Sequence, residues 1–442
     1  MSFRPQFHLT PPLGRLNDPN GLFIVDDTLH VFYQHDPGFP DSPKRTGWAH
    51  ATTSLLRPQQ WRHYPNALYP DRSYDRDGCY SGGAVVDGEE VWLFYTGNLK
   101  QQGRRIPSQN RVAVAHPQGA EGGFYRKDPG NPLIPDSEPG FTGHFRDPHI
   151  TGESGGWRMV LGAQTSSEQG AVALYRSPDL QNWHFEGPIE FDISTASPGA
   201  SPDILPGGYM WECPNLISLR DSHTGQLRDI LVLCPQGLAP VHREGFTHYA
   251  SSDQCGYLVG ALEGNVFRVE RGFSELDYGF EFYAPQLLVR NEQEALLLGW
   301  VGLPGADDAP SLAEGWIHSL TLPRRVSLHD GRLVQKPLWE EIPEQPPRPG
   351  FGSTRVLRSN REGVYQLIGS DAEIAFEVEI SGGEMALRRG DQQRVVACPE
   401  GEFTLIADGS VVEVYAAGGR ITASQAVFGA RDCQWREWQE ER

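Results

Sequence analysis

Hydrophobic and polar positions along the first three quarters of the chain repeat in one arrangement. Five segments open with small residues, proline or glycine, continue with an apolar run, reverse at a polar turn and end with a second apolar run. The segments begin at Asp18, Ser81, Asp147, Glu212 and Tyr283, at spacings of 63 to 71 residues. Asp, Asn, Gly and Thr in the turns suit tight reversals, so each segment predicts a β-hairpin.

A third strand is predicted in each unit, at residues 48–54, 111–117, 171–177, 256–262 and 316–322. Two of these stretches are followed by a similar tail, at residues 56–61 and 178–183. About four short strands in each unit, repeated five times, indicate a five-bladed β-propeller. A β-sandwich whose segments resemble one another by accident is the alternative fold.

The pattern changes after Leu338. Residues 340–352 are rich in proline and predict a linker, and alternating segments in 353–442 predict a small β-sandwich. We therefore expect an all-β chain with a propeller catalytic domain at 1–339, a linker at 340–352 and a β-sandwich module at 353–442. The last region shows no constellation of acid, base and nucleophile, which indicates a packing role.

The propeller has a consequence for chemistry. Equivalent positions in the blades are related by rotation about one axis, so the residues that open the first strand of each blade should face the same end of the central channel. Three of these five residues are acids, namely Asp18, Asp147 and Glu212. The repeat therefore predicts that three carboxylates distant in sequence converge on one funnel.

Three carboxylates in one pocket are expected to differ in protonation, because like charges and burial raise the pKa of a carboxyl group. Glycoside hydrolysis requires such a division, since one carboxylate attacks the anomeric carbon or activates water while another acid protonates the leaving oxygen. Retaining and inverting enzymes differ in the separation of the two groups. Position in the repeat does not decide which acid takes which part.

Composition excludes several classes of partner. The 442 residues carry a formal net charge of −19, which disfavours nucleic acid and anionic membrane surfaces. No apolar run is long enough to span a membrane, and the N-terminus lacks the apolar core of a signal peptide. The six cysteines are scattered without a C-x-x-C motif, so we expect no metal site and a reduced, cytoplasmic protein. No glycine-rich phosphate loop or dinucleotide motif occurs, so we expect no cofactor.

Three acid-bearing segments resemble signature motifs of glycoside hydrolase family 32, the invertases and sucrose-6-phosphate hydrolases. Further segments resemble that family in the same order along residues 5–340. The acid-bearing segments are Asn17-Asp18-Pro19-Asn20-Gly21, Arg146-Asp147-Pro148 and Trp211-Glu212-Cys213-Pro214, and the others are Phe32-Tyr33-Gln34, residues 47–52, 80–82, 94–97 and 277–286. The resemblance is weaker in the C-terminal module.

The resemblance implies a retaining β-fructofuranosidase. Asp18 is then the nucleophile that forms a covalent fructosyl–enzyme intermediate, and Glu212 is the general acid/base. Asp147 is the transition-state stabiliser that binds ring hydroxyls, and Arg146 keeps Asp147 ionised and tunes Glu212.

The same resemblance implies residues that bind the substrate. Asn17, Gln34, Trp48 and Ser81 match family positions that contact the fructosyl unit, because amides and hydroxyls pair with sugar hydroxyls and an indole stacks on a sugar ring. For Trp48 core packing is the alternative. Tyr80 and Tyr283 are also candidates.

The expected partner is a small sugar: sucrose, sucrose-6-phosphate or a short fructo-oligosaccharide. A phosphate group would need basic residues at the pocket rim. Lys44-Arg45 and Arg104-Arg105 are candidates, with ordinary solvated loop charges as the alternative. The oligomeric state stays open.

Three other functions compete with hydrolysis of sucrose. An inverting five-bladed hydrolase of arabinosides or xylosides would also use three acids. A fructosyltransferase would share the first half-reaction. A non-catalytic sugar-binding propeller is expected to have lost at least one of the acids, and this chain keeps all three.

Overall fold

The computed structural model describes residues 2–117, 122–369, 372–429 and 432–438. Strands and the turns between them account for almost all of these residues, and the two helices among them are single 3₁₀ turns at Pro310–Glu314 and Ala417–Gly419. The prediction of an all-β chain with a five-bladed β-propeller and a β-sandwich is confirmed. None of the helices in the described ranges is long and apolar enough to cross a membrane.

Five largely antiparallel sheets form the propeller, and each sheet is built mainly from one consecutive stretch of chain. The first three contain β1 (Gly14–Val25), β2 (Thr28–Asp36), β3 (Gly47–Ser54) and β4 (Arg62–Leu68); β5 (Ala84–Asp87), β6 (Glu90–Gln101), β7 (Arg104–Ala115) and β8 (Phe124–Lys127); and β9 (Phe141–Glu153), β10 (Gly156–Thr165), β11 (Gly170–Ser177) and β12 (His184–Pro188). The strands β1, β2, β3 and β10 are buried at most positions rather than at alternate ones.

The last two sheets are less regular. The fourth contains β13 (Glu190–Asp192), β14 (Met210–Arg220), β15 (Leu227–Gln236), β18 (Gly256–Glu263) and β19 (Val266–Glu275), with a separate hairpin of β16 (Val241–Arg243) and β17 (Phe246–His248). The fifth contains β20 (Tyr283–Asn291), β21 (Glu294–Val301), β23 (Ser319–Leu320), β24 (Arg324–His329) and β25 (Arg332–Pro337), while β22 (Trp316–Ile317) joins the first sheet. Apolar clusters between neighbouring sheets form the core.

The strand predicted at 316–322 in the fifth unit is wrong. Residues 316–317 form β22, which pairs in parallel with the start of β1, and residues 319–320 form β23, which pairs with β21. The third long strand of this sheet is β24 instead. Pairing of a late strand with the first sheet closes the ring, and this long-range requirement divides a stretch whose local pattern predicts one strand.

The C-terminal sandwich packs two sheets around its own core. One sheet contains β26 (Thr354–Ser359), β31 (Phe403–Asp408), β32 (Val411–Ala416) and β33 (Ile421–Ala426), and the other contains β27 (Gly363–Gly369), β28 (Ile374–Ser381), β29 (Glu384–Arg389), β30 (Gln392–Ala397) and β34 (Cys433–Trp438). Because β25 ends at Pro337 and β26 begins at Thr354, we keep the division at 1–339, 340–352 and 353–442 as a proposal.

Candidate active site

The first strands of three sheets share an unusual backbone step at the channel entrance. Asp147, Cys213 and Ala284 have positive φ values of 67°, 45° and 46°, and each directly precedes a proline. The strand register shifts at these points, which is the signature of a β-bulge. Non-glycine residues seldom adopt this conformation, and such outliers often occur at functional sites.

The bulges explain why consecutive residues on one strand reach the same cavity. In the sequence repeat, Glu212 and Tyr283 stand where Asp18 and Asp147 open their segments. In the structure, Glu212 and Tyr283 lie one residue before the proline-preceding position that Asp147 occupies in its own strand. In a bulge two consecutive residues face one residue of the partner strand, so both the residue at the bulge and the one before it can line the cavity, as Arg146 and Asp147 do.

A cavity of about 280 Å³ opens at this end of the channel. Its walls contain all three predicted acids together with Asn17, Gln34, Tyr80, Arg146 and Tyr283. The structure therefore brings together residues from the first strands of four sheets. The further residues that line it are Arg15, Lys44, Arg105, Gln236, Trp300, Pro304, Gly305 and Asp307.

Both carboxylate oxygens of Asp18 accept hydrogen bonds. Asn17 Nδ2 donates to Oδ1 at 3.0 Å, and the Ser81 hydroxyl donates to Oδ2. Burial raises the pKa of Asp18, and the two donors act against that rise. The two donors stabilise the ionised form of Asp18, which is the form that can attack an electrophilic carbon.

Glu212 is held from two sides. Arg146 donates from Nη2 at 2.5 Å and from Nε at 3.0 Å to Oε1, and the Tyr283 hydroxyl donates to Oε2 at 2.8 Å. Arg146 also donates from Nη1 to the ring of His144, whose pKa burial lowers to about 4, so the imidazole is neutral and accepts. These contacts fix the direction of the Glu212 carboxylate.

Asp147 Oδ2 accepts a hydrogen bond from the backbone N–H of Cys213 at 3.0 Å. Burial and the negative charges of Glu212 and Asp18 raise the pKa of Asp147, and Arg146 lowers it. The net result is a pKa of about 7. Arg146 lies 3.9 Å from this carboxylate and closer to Glu212. Burial therefore brings the titration of Asp147 close to neutral pH.

Two predicted binding residues lie behind the cavity wall. Trp48 is fully buried among apolar residues, and its indole N–H donates to the carbonyl of Tyr80 at 3.1 Å. Ser81 is also buried and contacts Asp18 and Gln34. Contact of either residue with a sugar stays a prediction, whereas Tyr80 lines the cavity directly.

Sequence reasoning missed one side of the cavity. Arg15, Trp300 and Asp307 line it, and Arg15 forms a 2.6 Å ion pair with Asp307 across 292 positions of sequence. Arg15 lies only two residues before Asn17, which is the one local signal that could have found it. The loop that carries Asp307 has no motif.

The basic rim residues separate into two kinds. Lys44 and Arg105 line the cavity, and neither forms an ion pair within the described part of the chain. Arg104 points elsewhere and pairs with Asp136 at 2.6 Å, and Arg45 donates to a backbone carbonyl. Across the described ranges, no group of three or more His, Cys, Asp or Glu side chains is placed to hold a metal ion.

Known proteins are similar to this chain in sequence and in fold. The Glycosyl hydrolases family 32 N-terminal domain matches residues 8–337. A sucrose-6-phosphate hydrolase of Bacillus subtilis is 38% identical over 76% of this chain, and the aligned part is 65% of that relative's length. A sucrose-6-phosphate hydrolase of Klebsiella pneumoniae is 35% identical over 97% of this chain and 89% of its own.

A solved structure agrees in fold. The β-fructofuranosidase of Bombyx mori, as a variant in complex with sucrose, superposes with a TM-score of 0.78 at 28% identity, over 98% of this chain and 90% of that one. The family match covers the whole propeller, where the three acids meet. The chain belongs to glycoside hydrolase family 32.

Proposed function

We propose that the chain hydrolyses the β-fructofuranosyl bond of sucrose or sucrose-6-phosphate with retention of configuration. One observation carries the proposal: a doubly hydrogen-bonded carboxylate, Asp18, and an oriented carboxyl group, Glu212, face one cavity of about 280 Å³. The names of the relatives from Bacillus subtilis and Klebsiella pneumoniae support a sucrose-type substrate.

In the first step, Asp18 attacks the anomeric carbon of the fructosyl unit as the bond to the glucosyl oxygen breaks. Glu212 gives its proton to that oxygen, and a covalent fructosyl–enzyme ester forms. In the second step, Glu212 takes a proton from water, the resulting hydroxide attacks the same carbon and Asp18 leaves. Asp147 accepts hydrogen bonds from ring hydroxyls, which strengthen as positive charge develops on the ring.

Site-directed variants test this assignment. We expect Asp18→Asn and Glu212→Gln each to lower kcat for sucrose by a factor of at least about 10³, because each removes a covalent or proton-transfer step. Asp136→Asn, which removes a carboxylate from an exposed ion pair outside the cavity, is the control and should retain full activity. Full activity of Asp18→Asn would overturn the proposal.

Product stereochemistry tests the double displacement. With methanol as a competing acceptor, a fructosyl–enzyme intermediate must yield methyl β-fructofuranoside, because two inversions restore the β configuration. An α-linked product would show an inverting enzyme. Transfer of fructose to a second sucrose at high sucrose concentration would show a fructosyltransferase or the synthesis of short fructo-oligosaccharides.

The phosphorylated substrate is favoured by the two unpaired cations of the cavity. A phosphate on the glucosyl unit would meet Lys44 or Arg105, and a charge-assisted hydrogen bond contributes about 1.5–3 kcal/mol. We expect Lys44→Met and Arg105→Met to raise KM for sucrose-6-phosphate roughly tenfold or more and to leave sucrose unaffected. Arg104→Met is the matched control, and equal losses on both substrates would reject a phosphate role.

A cytoplasmic location is part of the proposal. All six cysteines are free thiols, and the pKa of buried Cys79 and Cys234 is raised by burial, so they stay protonated. Free buried thiols are typical of a reducing compartment. Fractionation of the native host, with a reduced-thiol assay on the purified protein, tests this location.

A further inference from the structure

Three polar side chains form a hydrogen-bonded chain whose two ends contact the two oxygens of Asp18. Asn17 Nδ2 lies 2.7 Å from Gln34 Oε1 and 3.0 Å from Asp18 Oδ1. Gln34 Nε2 lies 2.6 Å from the Ser81 hydroxyl oxygen, and that hydroxyl contacts Asp18 Oδ2. Asn17, Gln34 and Ser81 are buried, and Asp18 is half-buried at the cavity.

The amide groups by themselves do not determine the direction in which hydrogen bonds are donated along this chain. The oxygen and nitrogen of Asn17 and Gln34 can exchange places by rotation, and a hydroxyl can donate to either neighbour. In the reversed direction, Asn17 would present its oxygen to Asp18. That oxygen can pair only with a protonated carboxyl group, which is not a nucleophile.

Arg15 removes this ambiguity. Its Nη1 lies 2.8 Å from Asn17 Oδ1, and a guanidinium group can only donate. The Asn17 oxygen must therefore face Arg15, and its NH₂ group must donate to Gln34 and Asp18. Gln34 in turn donates to Ser81, which leaves the Ser81 proton for Asp18.

Arg15 is itself fixed by its surroundings. Its Nε donates to Asp307 at 2.6 Å, its guanidinium lies 5.3 Å from the centre of the Trp300 ring, and it is 6% exposed. His318 also contacts the same oxygen of Asp307 at 3.3 Å. The contacts with His318 and Arg15 hold the pKa of Asp307 below its usual range, so Asp307 stays ionised.

We propose that Arg15, clamped by Asp307, is a positioning residue that sets the direction of the hydrogen-bond network and keeps both oxygens of Asp18 as acceptors. The inference rests on the proposed role of Asp18 as nucleophile. The buried Arg15–Asp307 pair then does more than pack, because it acts on the Asp18 carboxylate through the Asn17 amide.

Other charges face Asp18 as well. Glu212 raises its pKa, Arg15 lowers it, and Asp147 and the Cys213 thiol lie on the opposite side of the same carboxylate. Lys44, Arg105 and Arg146 also line the cavity, as do the hydroxyls of Tyr80 and Tyr283. These groups are unchanged by substitution of Arg15, so a change in the titration of Asp18 would come from Arg15 and the network it directs.

The test replaces Arg15 by methionine and by lysine. Carbon-13 NMR of aspartate side-chain carboxyls, with Asp18 assigned by its loss in Asp18→Asn, follows the titration of the nucleophile directly. Loss of a neighbouring cation raises a carboxyl pKa by about one unit. We therefore expect the Asp18 titration to move up by about one pH unit in Arg15→Met and to recover most of that shift in Arg15→Lys, which keeps a donor-only cation.

Kinetics provide the second measurement. We expect kcat for Arg15→Met to fall about fivefold at the pH where Asp18 in the unsubstituted enzyme is half ionised, because a pKa one unit higher lowers the ionised fraction from about one half to about one eleventh, with a smaller change in KM. Arg104→Met is the control, because it removes an arginine from an equally short ion pair outside the cavity. A merely structural role for Arg15 would lower the unfolding midpoint without moving the Asp18 titration.

Two results would overturn the inference: an Asp18 titration unchanged in Arg15→Met, or one shifted equally in Arg15→Met and Arg15→Lys. If Arg15→Met does not fold, Arg15→Lys decides, since a titration shifted as far as one unit would show that a donor-only cation is not sufficient. Failure of the proposed function is separate, because it would appear as activity in Asp18→Asn itself.

Discussion

Replacement of His8 by glutamine should destabilise the protein in a manner that depends on pH. The His8 ring lies fully buried between two carboxylates, with Nδ1 at 2.8 Å from Asp408 and Nε2 at 3.1 Å from Glu413. Glu413 also contacts the buried guanidinium of Arg324, at 3.2 Å. This network joins the N-terminal segment and the fifth sheet of the propeller to the sandwich.

The magnitude follows from the pKa of His8. Burial lowers it, but hydrogen bonds and charge interactions with Asp408 and Glu413 outweigh that effect and raise it to about 9 from the usual value of about 6.5. A histidine with a raised pKa contributes stability that is complete below the unfolded pKa and is lost as the pH rises towards the folded pKa. Each pH unit in between costs about 1.4 kcal/mol, so a rise from pH 7.0 to 8.5 should remove about 2 kcal/mol.

Equilibrium guanidinium unfolding at pH 7.0 and 8.5 provides the assay. At pH 7.0 we expect His8→Gln to lose about 3–5 kcal/mol, the usual cost of leaving a buried charge without its partner. At pH 8.5 the difference between the two proteins should be smaller by about 2 kcal/mol. His50→Gln is the control, because burial lowers the pKa of His50 to about 2 and the ring is neutral throughout this range.

A difference between the unsubstituted protein and His8→Gln that stays constant from pH 7.0 to 8.5 would refute the reasoning. Buried thiols with raised pKa values also reduce stability at alkaline pH, but they affect both proteins equally and cancel in the difference.

Two further outcomes follow from the site and its support. Arg146→Met should lower kcat/KM at least about 100-fold and move its acid limb to higher pH, because the guanidinium holds down the pKa of Asp147; a pH–rate profile measures both effects. Gly82→Ala should prevent stable folding, because its Cβ would overlap the carbonyl oxygen of Phe94; a normal unfolding midpoint by circular dichroism would contradict this, and Gly207→Ala, whose Cβ meets only the Leu238 side chain at 3.7 Å, is the control for adding a methyl group at a glycine.

Much of the fold follows from local signals. The third strands predicted at 48–54, 171–177 and 256–262 fall within β3, β11 and β18, and the one predicted at 111–117 overlaps β7, which ends at Ala115. Apolar runs and turn residues are local properties that survive in the folded chain. The fifth, at 316–322, fails because closure of the ring recruits residues 316–317 to the first sheet. No local pattern contains that requirement.

The candidate site also contains some residues that the sequence predicts and others that it does not. Asp18, Asp147 and Glu212 could be found because they open repeated segments, although Glu212 precedes the bulge by one residue rather than occupying it. The partners that orient these acids could not be found from the sequence. Asp307 lies in an irregular loop and meets Arg15 only in three dimensions, and Trp48 has a sugar-binding motif position but a fully buried ring.

The balance of charged side chains in the cavity differs from the net charge of the whole protein. The protein carries a formal net charge of −19, yet four acidic and four basic side chains line the cavity. Ion pairs occupy Arg15 and Arg146, which leaves Lys44 and Arg105 without carboxylate partners. At an ionic strength near 0.15 M, exposed charges more than about 8 Å away are largely screened, so a bound phosphate would respond to these two cations rather than to the distant acidic surface. We therefore expect the two unpaired cations to favour a phosphorylated sugar over a neutral one, which the KM values of Lys44→Met and Arg105→Met for sucrose-6-phosphate and sucrose test.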